Sequence, residues 1–326
     1  MSGVETVTVE TEERDMRLDR WFRSRYPNLT QGRLQKLLRT GQVRVDGKRV
    51  KAGERLAPGQ QVRVPPLPDA PRPEKPGLRL TDHEIEDLRA RILHRDDAVL
   101  VIDKPAGLAV QGGSGQHRHL DAMLDALRLD APERPRLVHR LDKETSGVLV
   151  LARRRTAASA LTAAFRDKSA RKIYWALVVG VPKPAQGDID LALEKRAGPG
   201  GDRVVAGGEG KRAVTRYAIV ESAARRASWL AMMPLTGRTH QLRAHSAAIG
   251  TPIVGDDKYG GTDHEIGGLG RGLHLHAREL TIPHPDGGDL HVVADLPPHM
   301  VASWRALGFT VAGHSDPFED APEFFI

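Results

Sequence analysis

The sequence predicts an α+β protein in which a small α/β module precedes a larger core built on a mixed, mostly antiparallel sheet. Three observations support this prediction. Residues 16–64 combine two helical patterns with two short strand patterns. Residues 65–77 hold six prolines among thirteen residues. The strand-length apolar runs that follow are separated by few helical patterns, unlike the regular alternation of a parallel βαβ fold.

The small module is predicted from periodicity and from one turn. MRLDRWFRSRYP and QGRLQKLLRTG have helical spacing, whereas QVRVDGKRVKAG and QQVRVPP resemble short strands. Asp46-Gly47 is a residue pair that suits a two-residue hairpin turn. Residues 1–15 are predicted to be an N-terminal extension outside this module.

The proline-rich stretch separates the module from the core. Proline fixes φ and lacks an N–H, so the stretch cannot form a helix or a central strand. We therefore predict a semi-rigid, extended linker over 65–80, a core over 81–312 and an acidic tail over 313–326.

Five apolar runs of the core are predicted to be strands. They are AVLVID (98–103), GVLVLA (147–152), IYWALVVG (173–180), AVTRYAIV (213–220) and WLAMMP (229–234). Helices are predicted at AASALTAAFRD and THQLRAHSAAIG. The glycine-rich, basic segment 196–212 is predicted to be a mobile loop, and its Gly-Lys pair lacks the Ser or Thr of a phosphate-binding loop.

Charge and composition limit the kinds of partner and chemistry that are expected for this protein. The chain has 49 Lys and Arg against 42 Asp and Glu. Residues 14–55 hold 13 basic and 4 acidic residues, a local balance of 13 − 4 = +9, so a polyanionic partner is expected at the small module. The absence of cysteine excludes disulfides, thiol nucleophiles and cysteine-bound metals. With no apolar leader or membrane-length run, we expect a cytoplasmic protein without a membrane partner.

The segment LVHRLDKETSGVLVLA, residues 137–152, contains the first candidate for chemistry. Asp142 lies between Arg140 and Lys143 in a polar turn that leads into an apolar strand, a position where catalytic groups are often placed. On chemistry alone, an exposed acid that pairs with a neighbour explains this pattern equally well.

Two more segments carry polar side chains beside apolar strands or helices. Arg238, His240, Arg243 and His245 crowd the first turns of a predicted helix, and a pocket, a phosphate backbone or a solvated helix face fits that pattern. In RKIYWALVVG, Lys172 and Tyr174 occupy alternate positions and therefore share one face of a strand.

Together these segments resemble the motifs of the RluA-type pseudouridine synthase family. HRLDKETSGVLVLA, KIYWALVVG and LTGRTHQLRAH followed by IVGDDKYG have the order and spacing of the family. DDAVLVIDKPAGLAVQGGSG before them and LHLHARELTIPHPDGG after them extend the match over roughly residues 92–300. Asp103 and Gln111 depart from the pattern, where Asn and His are expected.

The resemblance implies the fold and the catalytic residues. It implies a catalytic core of pseudouridine synthase type, with Asp142 as the catalytic aspartate, Arg243 as the arginine that pairs with it, and Tyr174 as the tyrosine that packs against uracil. Arg140 is then expected to enter the RNA, and Lys143, Arg238 and His240 are expected to contact it. The isomerisation needs no external group, so no cofactor is expected.

Residues 16–64 similarly resemble an S4 domain, a small RNA-binding module of αL type. The resemblance implies that one face of this module contacts RNA through Arg33, Lys36, Arg39, Arg44 and Lys48. VQGGSG and this module are most similar to RluC-like family members, which implies large-subunit ribosomal RNA or a pre-ribosomal particle as the partner. We expect a monomer.

The sequence bears on three other functions. A cluster of histidines, His264, His274, His276, His284 and His291, has no carboxylate or cysteine partner at suitable spacing, so no metal site is expected. A non-catalytic RNA-binding or ribosome-assembly factor with a structural Asp142 is the main alternative. An RNA methyltransferase would need a glycine-rich cofactor turn that GVLVLARRRT does not provide.

Overall fold

A computed structural model describes residues 3–67, 78–112, 117–196, 203–208, 210–261, 265–310 and 317–318. The chain divides into two compact units, Met1–Gly77 and Leu78–Ile326. Most of the predicted linker, 68–77, lies outside the described residues. The two units are considered separately below.

The first unit packs two helices on a three-stranded antiparallel sheet. Its elements are β1 (Glu5–Thr8), α1 (Leu18–Arg25), α2 (Gln31–Arg39), β2 (Arg44–Val45) and β3 (Gln61–Val64), with strand order β1-β3-β2. The prediction that residues 1–15 lie outside the module was wrong, because Glu5–Thr8 pairs with Gln61–Val64. A short edge strand with one partly buried valine gives little periodicity to detect.

The predicted hairpin turn at Asp46-Gly47 is present. Both residues have positive φ, 49° and 76°. A type I′ turn requires this, and its twist matches the right-handed twist of the flanking strands. Val45 and Lys48 exchange backbone hydrogen bonds of 3.1 and 2.9 Å across it. The turn therefore places Lys48 at an exposed corner.

The second unit is built on a ten-stranded sheet. Its strands are β4 (Ile92–Arg95), β5 (Val99–Lys104), β6 (Arg136–Leu137), β7 (Ser146–Ala152), β8 (Arg171–Val179), β9 (Gln186–Asp190), β12 (Val214–Ala223), β13 (Ala227–Pro234), β14 (Leu275–Pro283) and β15 (Asp289–Val293). The main path of the sheet runs β4-β5-β7-β14-β8-β13-β12-β9, with β6 paired to β7 and β15 to β14. Only β7 and β14 pair in parallel among these described strands, so the mixed, mostly antiparallel α+β prediction is confirmed.

The helices of this unit flank the sheet and connect its strands. They are α3 (Asp82–Ala90), α4 (Leu120–Met123), α5 (Arg155–Arg166), α6 (Gln241–Ala248) and α7 (Pro298–Leu307). Both predicted helices are present as α5 and α6. The five predicted strands are present as β5, β7, β8, β12 and β13, with ends that differ by at most three residues from the predicted ones.

The segment 196–212 is not a simple loop. A separate two-stranded sheet joins β10 (Leu193–Arg196) to β11 (Arg203–Ala206), with Leu193 opposite Ala206. Val204 is buried against Ala244 and Tyr259. The strand was missed because two valines between glycine and charged residues form too short an apolar run.

The acidic C-terminal segment lies outside the described residues except at 317 and 318. Phe318 is buried, and it packs against Ile173, Ala218 and Ala231 of three neighbouring strands. At that position the chain contributes to the core, which an acidic tail was not expected to do.

Three buried histidines act as neutral links in the core. His245, His274 and His276 are each within hydrogen-bonding distance of one backbone carbonyl and one Ser or Thr hydroxyl. A neutral imidazole satisfies both partners, since one nitrogen donates and the other accepts. Among the described residues, no three His, Cys, Asp or Glu side chains form a metal-binding group.

These histidines predict a loss of stability in mild acid. Burial lowers the pKa of both His274 and His276 to about 4, below the usual 6.5, so the unfolded chain takes up protons first. Their contribution to stability is complete above pH 6.5 and is lost as the pH falls toward 4. By pH 5 the free energy of unfolding should fall by about 2 kcal/mol per histidine.

Denaturant unfolding between pH 7.5 and pH 5 measures this loss, and carboxyl groups titrate little in that range. Replacing His276 by Gln should remove about 2 kcal/mol of the total loss, because the other buried histidines still titrate. A free energy of unfolding that is constant over this range would contradict the assignment.

Candidate active site

A cavity of about 310 Å³ opens beside α6, at the end of the loop that precedes β7. Its lining includes Asp142, Tyr174 and Arg243, which come from three separate elements. Lys172, Arg140 and Arg238 also line it. The structure thus brings together the three residues that were predicted to be catalytic.

A buried lysine forms hydrogen bonds with the backbone of the loop that carries Asp142. Lys104 is fully buried, and its Nζ donates to the backbone oxygens of Pro105, Leu108 and Lys143 at 2.8, 2.8 and 3.0 Å. Burial lowers the pKa of Lys104 to about 8. This residue was not singled out in the sequence, where it follows Asp103 after the apolar run 98–102 and resembles an ordinary charged strand end.

Gly147 permits the close strand pairing behind this loop. Its φ is 108°, and a Cβ at this position would lie 2.2 Å from the carbonyl oxygen of Ala277 on β14. Only glycine avoids that clash. Gly147 therefore lets β7 run beside β14 immediately after the loop that holds Asp142.

Tyr174 and Lys172 face the cavity from β8, as their alternate spacing predicts. Burial, together with the nearby Asp142, raises the pKa of Tyr174, so its hydroxyl is protonated at neutral pH. Burial and Lys168 lower the pKa of Lys172. The cavity wall thus offers a phenol donor and a partly desolvated amine.

Arg243 pairs with Asp256 and not with Asp142, so the expected ion pair was wrong. Its Nε and Nη2 donate to the two carboxylate oxygens of Asp256 at 2.8 and 2.6 Å. Asp256 is buried and also accepts the backbone N–H groups of Lys258 and Tyr259. Burial opposes the charge on Arg243, but Asp256 outweighs it and raises the arginine pKa. Asp256 was missed because nothing in IVGDDKYG marks which Asp turns inward.

The carboxylate of Asp142 forms no short ion pair with a described residue. Its side chain is 19% exposed, and in the described part of the chain the only Lys, Arg or His nitrogen within 4.0 Å is Nε2 of His240. His240 was expected to contact RNA. Its Nδ1 is 2.8 Å from the hydroxyl of Tyr259.

Two of the other predicted RNA contacts of this unit, Arg140 and Arg238, line the cavity, whereas Lys143 follows Asp142 outside its lining. Arg140, Lys143 and Arg238 are exposed, and Arg238 is also part of a neighbouring groove of about 480 Å³. Lys195 and Lys211 line the same groove. His245 is fully buried, so it cannot serve there.

In the first unit, the predicted RNA face is exposed and basic. Arg33, Lys36, Arg39 and Lys48 are exposed, whereas Arg44 is half-buried and donates to the backbone oxygens of Gly41 and Gly47. Other arginines of this unit are committed to carboxylates, in the pairs Arg17–Asp19, Arg25–Glu13 and Arg55–Asp15. Within the described residues, the four exposed cations have no such pair.

No described helix is both long and apolar enough to cross a membrane.

Comparison with known proteins agrees with this geometry. Residues 98–248 match the family described as RNA pseudouridylate synthase, and residues 16–62 match the S4 domain. The ribosomal large subunit pseudouridine synthase C of Salmonella typhi is 38% identical over 88% of this chain and 91% of its own length. The mitochondrial RNA pseudouridine synthase 4 of Arabidopsis thaliana is 37% identical over 94% of this chain and 82% of its own length.

A solved structure has a similar fold over much of the chain. Human RNA pseudouridylate synthase domain containing 4 superposes with a TM-score of 0.58 and 32% identity, covering 69% of this chain and 95% of its own. This identity over most of both lengths, with the S4 match before it, places the chain in the RluA-type family of RNA pseudouridine synthases that carry an N-terminal S4 domain.

Proposed function

We propose that this enzyme converts specific uridines of large-subunit ribosomal RNA to pseudouridine, with Asp142 as the catalytic carboxylate. The observation that carries the proposal is the position of Asp142. Its carboxylate faces a cavity walled by Tyr174, and the exposed Arg140 and Arg238, which suit a phosphate backbone, line the same cavity. At about 310 Å³ the cavity falls at the small end of the range for ligand sites.

The reaction breaks the bond from N1 of uracil to C1′ of the ribose. The base then rotates, C5 bonds to the same C1′, and the C5 proton leaves. An ionised Asp142 can attack C1′ as a nucleophile, or it can remove a ribose proton as the glycosidic bond breaks. Both routes need a carboxylate that is free of a strong partner, which fits Asp142 better than Asp256.

Tyr174 supports the proposal from the opposite wall. Its ring can pack against uracil while the base rotates. Because the hydroxyl is protonated, it can accept the C5 proton only if it first gives up its own proton. The nearby Asp142 contributes to the raised pKa of this hydroxyl. The target nucleotide must first leave its stack, at a cost of a few kcal/mol.

Arg140 and the S4 face supply binding in this proposal. Arg140 lies at the cavity mouth two positions before Asp142 and fills the gap that the flipped uridine leaves. Arg33, Lys36 and Lys48 contact phosphate, which adds affinity through the release of counterions. We further propose that the enzyme acts as a cytoplasmic monomer.

The function is tested with purified enzyme and with a deletion strain. Carbodiimide-dependent primer extension should reveal pseudouridines in large-subunit ribosomal RNA that disappear in the strain and return with the purified enzyme. Naked RNA and pre-ribosomal particles should be compared as substrates. A strain with an unchanged set of pseudouridines in that RNA would contradict the assigned substrate.

The S4 face is tested by removing charge without removing the domain. In Arg33→Gln/Lys36→Gln/Lys48→Gln, RNA affinity should fall, and the slope of log K against log salt should fall by up to about 3 units if all three bind duplex phosphates. The single-turnover rate at saturating RNA should be nearly unchanged.

Arg17→Gln is the matched control, since Arg17 is exposed but paired with Asp19. It should change the salt slope little. A triple variant with the affinity and salt slope of the wild type would contradict the proposal that this face binds RNA.

A further inference from the structure

His240 has an unusual backbone conformation directly before α6. Its φ is 52°, in the left-handed region that few non-glycine residues occupy. Such strain persists only where surrounding contacts hold it, and it concentrates at functional sites. Here the contacts lead on one side to Tyr259 and on the other to Asp142.

The hydrogen bonds around Tyr259 favour one tautomer of His240. The backbone N–H of Val204 donates to the Tyr259 hydroxyl at 3.1 Å, and that hydroxyl is 2.8 Å from Nδ1 of His240. A hydroxyl that already accepts from Val204 is best placed to donate its one proton to Nδ1. This arrangement favours a neutral ring with its proton on Nε2, the nitrogen that faces Asp142.

The groups around His240 favour the neutral ring. Burial lowers its pKa, Arg243 and Lys258 act in the same direction, and Asp142 and Asp256 oppose them. A neutral N–H donor can orient a carboxylate without cancelling its charge. An arginine in the same place would weaken Asp142 as a nucleophile, and the guanidinium of Arg243 is directed at Asp256 instead.

We propose that His240 is a positioning residue, whose Nε2–H is aimed by Tyr259 and holds Oδ1 of Asp142 so that Oδ2 faces the target ribose. The Nε2–Oδ1 distance of 4.0 Å is longer than a hydrogen bond, and a small rotation of the Asp142 side chain on substrate binding closes it, as catalytic contacts commonly do. The inference rests on the proposed function and replaces the expected RNA contact of His240.

Two substitutions at position 240 separate positioning from RNA binding. Asn tolerates left-handed backbone but is too short to reach Asp142; Gln can extend an amide N–H toward it. His240→Asn should lower the single-turnover rate at saturating RNA by on the order of 10- to 100-fold, with RNA affinity within about 3-fold of wild type. His240→Gln should recover part of that rate.

Tyr259→Phe tests the proposed chain of hydrogen bonds from Tyr259 through His240 to Asp142 at its far end. Removing the hydroxyl frees Nδ1, so the ¹⁵N signals of the His240 ring, identified by their loss in His240→Gln, should shift from the Nε2–H form toward a mixture of tautomers. The rate should fall by less than in His240→Asn. His291→Asn, at an exposed position on β15, is the control and should match wild type in rate and tautomer signals.

Distinct results would overturn the inference. Weakened RNA binding with an unchanged saturated rate in His240→Asn would restore His240 as an RNA contact. Equal rates in the Asn and Gln variants, or an Nδ1–H tautomer in the wild type, would exclude the positioning role. Wild-type enzyme that forms no pseudouridine would instead remove the proposed function on which the inference rests.

Discussion

Asp142→Asn is expected to abolish pseudouridine formation, with a rate loss of at least about 10,000-fold, the scale seen when a catalytic nucleophile is removed. The amide keeps the shape of the side chain but loses the negative charge that either route requires. RNA binding should stay within a few fold of the wild-type value, because Asp142 contributes no phosphate contact. Single-turnover assays with saturating RNA and filter-binding measurements give the two quantities.

Glu144→Gln is the matched control for this prediction. Glu144 lies in the same loop, is half-exposed and is 3.4 Å from Lys143, so its substitution removes one charge near the site without touching the cavity. Its rate should stay within a few fold of wild type. Near-normal turnover by Asp142→Asn, free of contaminating synthase, would exclude Asp142 from the chemistry.

Asp256→Asn is expected to cause the largest loss of stability among single changes at the site. The substitution leaves the guanidinium of Arg243 buried without its charge partner, which typically costs about 3 to 5 kcal/mol. Denaturant unfolding at pH 7 measures the loss. The rate should also fall, because a released Arg243 can turn toward Asp142 and pair with the carboxylate.

Arg243→Lys tests the geometry of the same pair. It retains the charge but not the planar fork that meets both oxygens of Asp256, so stability and activity should both fall strongly. Arg166→Lys is the control, since Arg166 pairs with Asp167 at an exposed position and should change stability by less than about 1 kcal/mol. Full activity in Arg243→Lys would show that the fork is not needed.

The sequence by itself determined the architecture and the central residues. Long apolar runs such as GVLVLA, an Asp-Gly turn and a proline-rich stretch predict local structure through short-range physics, namely periodic burial and restricted φ. Together with the motif resemblance, they placed Asp142, Tyr174 and Arg243 at one site. The strand at Glu5–Thr8 was missed because it is stabilised by pairing with the distant Gln61–Val64. The strand at Arg203–Ala206 was missed because its apolar run is too short, although its partner Leu193–Arg196 is near in sequence.

Only the tertiary structure decided which charged side chains form ion pairs. In the sequence, Arg243 has several carboxylates within reach, and the choice of Asp256 over Asp142 depends on how the chain turns after α6 and buries one of two adjacent aspartates. The same turn brings Tyr259 to His240 and thus His240 to Asp142. Electrostatic partners are selected by distances of a few ångströms and by desolvation, and neither is encoded in residue spacing along the chain.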